Sequence, residues 1–455
     1  MLGSPYQGYL YAYPHKTAYR PLRPRPKLAD VWAAEPTDAL FLYVHVPFCE
    51  MRCGFCNLFT RARPPSDQVT AYLDQLGRQA ERVAAAVPAA TYARAAIGGG
   101  TPTYLTAAEL TRLFDGVERA TGADLRAVPM SVETSPATAT ADRLAVLLDR
   151  GTTRVSIGVQ SFLDAEAHAA GRPQHRAEVD LALDTIRAAG PAELNIDLIY
   201  GIPGQTVDTW TASLSTALTW RPEELYLYPL YVRPMTGLGR RAPGTPDPEW
   251  DAQRLGLYRH AVDLLAAAGY EQQSMRAFRR RDAPPVEGVA GGAVGGAVGG
   301  AAAGRDSAGG TGYCCQDDGM VGLGCGARSY TSRLHYSFDY AVSVRQVRGI
   351  IEDYLARPAE DFDVAEVGFV LDGTEQRRRW LLKSLLRAPG VVPADYLARF
   401  GTDVDDDFPA LRLLRETGHV DGHRLTAEGL AHSDAIGPWL TSDGVRAAMA
   451  GHVPR

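Results

Sequence analysis

Lysine is almost missing from this 455-residue sequence: Lys16, Lys27 and Lys383 are the only three, so arginine carries nearly all the positive charge. Asparagine is rarer still, at Asn57 and Asn195. Both scarcities are read as a coding bias without functional content, though they draw attention to where the two asparagines stand. Basic residues are not in excess, at 47 against 53 acidic for a net charge of -6. No polycationic surface follows, which argues against bulk nucleic-acid binding. No run of 18 apolar residues occurs, which leaves no candidate membrane helix. The first residues, MLGSPYQGYLYAYPHK, lack a basic stretch followed by an apolar core, so no secretory signal is expected and the chain is placed in the cytoplasm. Cysteines number six, and three of them cluster within eight residues. In a large cytosolic chain that pattern suggests metal or redox chemistry rather than a disulfide framework. A hydrophobic share of 45% with 22% charged residues is ordinary globular composition and excludes a mainly disordered or fibrous protein.

The length suggests about three domains, or one large barrel with an appendage. Residues 1–38 are rich in Tyr, Pro and Arg without periodicity, which predicts an extended arm lying on the next domain. Residues 39–232 alternate apolar strands at 40–46, 93–97, 128–133, 154–160, 194–200 and 225–231 with helical patterns at 67–87, 106–120, 138–150, 176–189 and 207–219. Alternating β and α units imply a parallel sheet with right-handed crossovers. Six such units predict an α/β, partial TIM-like barrel whose functional face lies at the strands' C-terminal ends. Period-2 alternation sorts the strands into an apolar face and a polar or aromatic face, the latter carrying Tyr43, His45, Ser156, Gln160, Asn195 and Asp197. The polar face is expected to line a cavity. Residues 233–370 extend the barrel, with a helix at 248–268, a flexible Gly/Ala-rich insertion at 288–312 and a glycine-rich turn at 318–331. Residues 371–455 predict a small, mainly helical, winged-helix-like domain; its 12 acids and 11 bases form no basic face for nucleic acid.

Directly after the first strand stands Cys49-Glu-Met-Arg-Cys53-Gly-Phe-Cys56. Three thiolates on one short loop can hold three irons of a cubane cluster and leave the fourth open for a ligand. A zinc site and three structural cysteines are the alternatives. Gly98-Gly99-Gly100-Thr101 follows the second strand, where glycines permit close backbone approach and their free N–H groups can bind a carboxylate. Glu133, Gln160 and Asp197 lie on the polar face or at the strands' functional ends, where they can accept from ammonium or hydroxyl groups. Arg172, in the loop after the fourth strand, can pair with a carboxylate. His45 has both a core and a site reading, as does His15 in the arm. Cys314, Cys315 and Cys325 match no cluster spacing and are expected to be free thiols, with Cys325 also a candidate contact near the site.

The segments YVHVPFCEMRCGFC, GGGTPTYL, GTTRVSIGVQSF, GRPQH, NIDLIYGIPGQT, GLGCGARSYT and RLTAEGLAHSD occur in this order over roughly residues 40 to 440. Together they resemble the radical S-adenosylmethionine (SAM) superfamily, in its oxygen-independent coproporphyrinogen III oxidase-like (HemN/HemW-like) branch. The resemblance implies a 4Fe-4S cluster on Cys49, Cys53 and Cys56. It implies one SAM, or two, contacted by Tyr43, Phe55, Gly99, Gly100, Thr101, Glu133, Gln160, Arg172 and Asp197. It further implies reductive cleavage of SAM to methionine and a 5′-deoxyadenosyl radical that abstracts hydrogen from a small-molecule substrate, with an electron donor such as flavodoxin or ferredoxin. The cofactor carries that chemistry and the protein supplies position and electrostatics. Leu58 stands where the decarboxylating enzymes of the family carry a fourth cysteine. No efficient decarboxylation of coproporphyrinogen III is therefore expected. The substrate is left open between a tetrapyrrole and another scaffold, and a haem chaperone and a C-methyltransferase are the alternatives.

Overall fold

A computed structural model describes residues 2–241, 247–284, 314–316 and 319–453. The Gly/Ala-rich insertion predicted at 288–312 lies outside the described residues. Six parallel strands run β1 (Leu40–Val46), β2 (Tyr92–Gly99), β3 (Met130–Thr134), β4 (Thr152–Gln160), β5 (Glu193–Tyr200) and β6 (Glu224–Pro229), in that spatial order. The crossovers are helices α1 (Ser66–Ala86), α2 (Ala107–Thr121), α3 (Ala141–Asp149), α4 (Arg176–Ala189) and α5 (Val207–Thr219), and α6 (Pro248–Ala267) follows β6. Each predicted strand and helix has its counterpart. Helix α2 starts at a capping box: Thr106 Oγ1 accepts from Glu109 N, and Thr106 N donates to the Glu109 carboxylate. Gly122 and Gly190 end α2 and α4 in the left-handed conformation.

The sheet is larger than its six βα units and does not close. Beside β1 lie Met320–Leu323, parallel to it, then Arg328–Tyr330, Leu334–Ser337, Val367–Val370 and Arg20–Pro21. Beyond β6 lie Ala277–Arg280 and then Tyr270–Gln272, each antiparallel to the strand before it in the sheet. The region 318–331, expected as a glycine-rich turn, is thus mostly strand within its described part. Its glycines allow tight approach: a Cβ on Gly324 would stand 2.7 Å from the His45 carbonyl. Among the described residues no helix is long and apolar enough to cross a membrane.

The apolar strand faces pack under the helices in one core that includes Leu42, Val44, Ile97, Val155, Ile157, Ile196 and Leu198. A second core sits in the C-terminal region, around Trp380, Leu385, Tyr396, Leu414 and Ile436. The arm does more than lie on the barrel: Leu2, Leu10 and Tyr13 enter the C-terminal core, while Tyr6 enters the barrel core. It also folds into a short helix, Leu28–Trp32.

Candidate active site

The cysteine loop is closed at its base by a small parallel ladder in which Phe48 pairs with Arg61 and Cys49 with Ala62. Cys49 is buried and Cys53 and Cys56 are half-buried. Inside the loop, Cys56 N donates to Cys53 O at 3.1 Å. Outside it, Gly54 N donates to Gly171 O at 3.0 Å, and Leu238 N donates to Gly54 O at 2.8 Å. Gly171 must be glycine, because its φ is +72° and a Cβ there would stand 2.7 Å from Gly54 Cα. Phe55 packs half-buried against a cluster of Ala170, Ile199, Ile202 and Leu230.

Each thiol has a polar neighbour. Thr101 Oγ1 donates to Cys49 Sγ at 3.5 Å, Arg172 Nη1 donates to Cys53 Sγ at 3.3 Å, and Cys56 Sγ lies 3.7 Å from Thr60 Oγ1. Burial pushes the Cys49 thiol up, and the nearby Cys56 and Cys53 add to it. Burial also raises Cys53, against which the Arg172 guanidinium acts. Arg172 is itself aimed, since its Nε donates to Gln174 Oε1 at 2.6 Å and Gln174 Nε2 donates to Val159 O at 2.5 Å. Among the described residues no three His, Cys, Asp or Glu side chains converge as ligands of a single ion.

The glycine run works differently from the expectation of free N–H groups. Gly99 N donates to Glu133 Oε2 at 3.1 Å, Gly100 N to Val46 O at 2.8 Å and Thr101 N to Phe48 O at 2.7 Å. The run is therefore there for close packing: a Cβ on Gly98 would stand 2.9 Å from the Glu133 carboxylate, and one on Gly100 2.5 Å from Phe48 O. Tyr43 lies near Glu133, and burial first, then that carboxylate, raises its hydroxyl well above the usual range.

Strand β4 breaks the simple alternation. Its pairing with β5 steps from Gly158↔Asp197 to Gln160↔Leu198, and Gln160 adopts φ +70°. A non-glycine residue in that region is strained, and here the strain folds the Gln160 amide back over Gly158. Next to it, the fully buried Asn195 donates to Ser156 Oγ at 2.8 Å and to Asp197 Oδ1 at 2.7 Å. Burial raises the Asp197 carboxyl to about 6, opposed by that amide and by Arg154 and Arg172.

His45 fits its core reading. Its Nε2 lies 3.2 Å from Phe59 O and its Nδ1 3.3 Å from Tyr43 Oη, and burial lowers its pKa to about 3, so the ring is neutral. His15 contacts Thr17 and the Tyr11 ring. Burial pushes the Cys325 thiol up to about 12, opposed by a hydrogen bond with Tyr72, and Cys314 and Cys315 are buried as well.

Three contacts of the arm were not legible in the sequence. Lys16 places its ammonium 3.4 Å from the Tyr340 ring centroid, Tyr11 Oη accepts from Arg328 at 2.6 Å, and the Tyr9 ring lies 3.8 Å from the Arg276 guanidinium. Lys16 and Arg328 share the wall of a cavity of about 30 Å³ with His45, Leu58 and Cys325. Lys16 and Tyr340 also edge an outer cleft of about 1100 Å³ with Arg20, Arg23 and Arg25. The one available signal was a lysine in a chain with only three.

An open parallel α/β sheet with a three-cysteine loop after its first strand is the architecture of radical SAM proteins, and residues 43–217 match the Radical SAM superfamily. The chain is similar over that stretch and beyond it to proteins described as the heme chaperone HemW and oxygen-independent coproporphyrinogen III oxidase. It is 28% identical over 247 residues to the heme chaperone HemW of Haemophilus influenzae, covering 53% of this chain and 63% of that protein. The match thus spans less than two thirds of that relative. It is 27% identical over 411 residues to the oxygen-independent coproporphyrinogen III oxidase of Escherichia coli, covering 87% and 84% of the two chains. The solved structure of the Escherichia coli coproporphyrinogen III oxidase shares its fold, with a TM-score of 0.78, 24% identity, and 95% and 97% coverage.

Proposed function

We propose that this chain is an enzyme that binds a 4Fe-4S cluster on Cys49, Cys53 and Cys56 and SAM beside it. The observation that carries the reading is the placement of Arg172 and Thr101 against two of three neighbouring thiols at the strands' C-terminal ends. Three thiolates give any bound group negative charge, and a buried, aimed guanidinium stabilises it, so the donor set fits an anionic cluster. When bound, the cluster and SAM supply reductive cleavage to methionine and a 5′-deoxyadenosyl radical. This chain's residues then hold and orient. Glu133, already fixed by Gly99 N, and Asp197, fixed by Asn195, offer acceptors for SAM's ammonium and ribose hydroxyls. Tyr43, Phe55, Gly99, Gly100 and Gln160 complete the proposed set of SAM contacts. The substrate of this reading is a small molecule, and a tetrapyrrole is consistent with what the relatives' names say they handle.

A second reading, a haem chaperone, is favoured by one feature: the outer cleft of about 1100 Å³ with arginines on its rim has room and charge for a porphyrin bearing carboxylates. Anaerobic reconstitution separates the readings. Wild type is expected to hold about four irons and to form 5′-deoxyadenosine with dithionite, and Cys53→Ala to lose the cluster. Full iron in Cys53→Ala sinks the cluster assignment. Tight hemin binding without 5′-deoxyadenosine establishes the chaperone reading instead. With Leu58 in place of a thiol, protoporphyrinogen IX is not an expected product of coproporphyrinogen III.

A further inference from the structure

The arginines around the cysteine loop do more than the proposed chemistry requires. The ladder that closes the loop sets Arg61 opposite Phe48, and Arg63 N donates to Cys49 O at 2.9 Å, so both arginines flank the first cysteine through the backbone. Arg52, inside the loop, donates to Cys56 O at 3.4 Å and to Val342 O, which ties the loop to the start of helix α7 (Val344–Ala356). On that helix Arg345 and Arg348 are exposed, and neither side chain has an ion-pair or hydrogen-bond partner among the described residues. Arg348 is close enough to Arg61 for their like charges to oppose each other, and the Arg61 Nε and Nη1 have no hydrogen-bond partner.

Among the described residues the nearby acids form no ion pair with these arginines. Glu50 meets Arg63 only through its backbone carbonyl, at 3.1 Å, and Asp353 is held by Arg357 at 2.7 Å. Glu352, one turn beyond Arg348, attracts Arg61 without forming an ion pair. Elsewhere the molecule pairs its arginines readily, as with Arg150 against Asp115 and Glu118, and Arg279 against Glu193 and Glu224. In a chain of net charge -6, a run of arginines without carboxylate partners over the cysteine loop is a local reversal of sign. Val344, 41% exposed, adds an apolar contact beside it. Arginine with an apolar neighbour is the composition of a protein-binding surface. The charge spans a strand, a loop and a helix, which suits a protein partner better than a small anion.

We propose that this face, centred on Arg63, Arg345 and Arg348, docks an acidic one-electron carrier protein. The inference rests on the cluster reading above, which needs a reductant. One electron passes from the reduced carrier, which is oxidised by one equivalent, to the group held by the three cysteines, which is reduced by one; no bond is made or broken at the interface. Complementary charge steers such an encounter and weakens with salt.

The test uses the full-length reconstituted protein, a reduced flavodoxin as probe, and the double variant Arg345→Glu/Arg348→Glu. Flavodoxin affinity is expected to fall about tenfold in the variant, and wild-type affinity to fall about tenfold from about 0.01 M to about 0.15 M ionic strength. Iron content and dithionite-driven 5′-deoxyadenosine formation are expected to match wild type, which shows that the variant is folded. Affinity unchanged by the substitutions, wild-type binding insensitive to salt, or no wild-type binding overturns the proposal. Absence of 5′-deoxyadenosine from wild type with dithionite counts against the enzyme reading, whereas the association measurement judges the docking face by itself.

Discussion

At the residue scale, the site's charges are set by burial more than by pairing. Asp197 is the clearest case, with its carboxyl raised from 3.8 to about 6 chiefly by desolvation. The folded chain then binds a proton that the unfolded chain has lost between those values. Its contribution to stability is therefore fully present below about 3.8 and is lost as pH rises through about 6. The penalty in the upper range is on the order of 3 kcal/mol. Asp197→Asn removes the ionisation. We expect the variant's stability in urea, relative to wild type, to improve as pH rises from about 4 to about 8, by up to ~3 kcal/mol. SAM affinity is expected to fall about tenfold or more at the same time, because a hydrogen bond to a charged group is lost. A pH-independent stability difference, or unchanged SAM affinity, contradicts the placement of this carboxylate. The cysteines were legible by spacing, and Asn195 by rarity, but the burial that shifts Asp197 was not.

At the element scale, the cysteine loop depends on a glycine contact with the loop after β4. Gly54 and Gly171 touch backbone to backbone, and Arg172 follows immediately to reach Cys53. Gly171→Ala meets both a positive φ and a Cβ clash, and is expected to cost about 1–3 kcal/mol. It should also displace Arg172, so a chelator removes iron from the reconstituted variant several-fold faster than from wild type. Gly190→Ala is the control, since Gly190 has φ +80° at the end of α4 with open space around its Cβ position. It should lose stability without faster iron loss. Equal chelator kinetics in both variants refutes the link between the glycine contact and the site. The strands and helices around this loop were legible from the alternation of apolar strands with helical patterns. The step in the β4–β5 register was not, because alternation carries no mark of an extra residue in one strand.

At the scale of the molecule, a buried ion pair lies where the arm, the C-terminal region and the barrel meet. Arg276 donates to Asp434 Oδ2, both almost inaccessible, and Tyr231 donates to the same carboxylate. Tyr9 covers the guanidinium, and Gly8 N donates to Asp434 O at 3.1 Å. Removing one partner of a buried pair leaves the other charge uncompensated, at about 3–5 kcal/mol. Asp434→Asn is expected to lower stability in urea by that order and to open the arm and C-terminal region to protease before the barrel. Unchanged proteolysis would show that apolar packing alone holds these parts together. No sequence pattern joined residues 9, 276 and 434, since nothing local couples positions so far apart.

What the sequence determined by itself was the ordered set of βα units and the place of the three-cysteine loop directly after the first strand. Hydrophobic period and cysteine spacing are local, and each acts within a few turns of chain. Only the tertiary structure decided that the sheet stays open with added strands on both edges, and that the glycine run gives its N–H groups to the protein. It also decided that Lys16 of the arm stands over Tyr340 beside Leu58. Those outcomes depend on contacts between distant segments, which are fixed when all the apolar faces are buried at once.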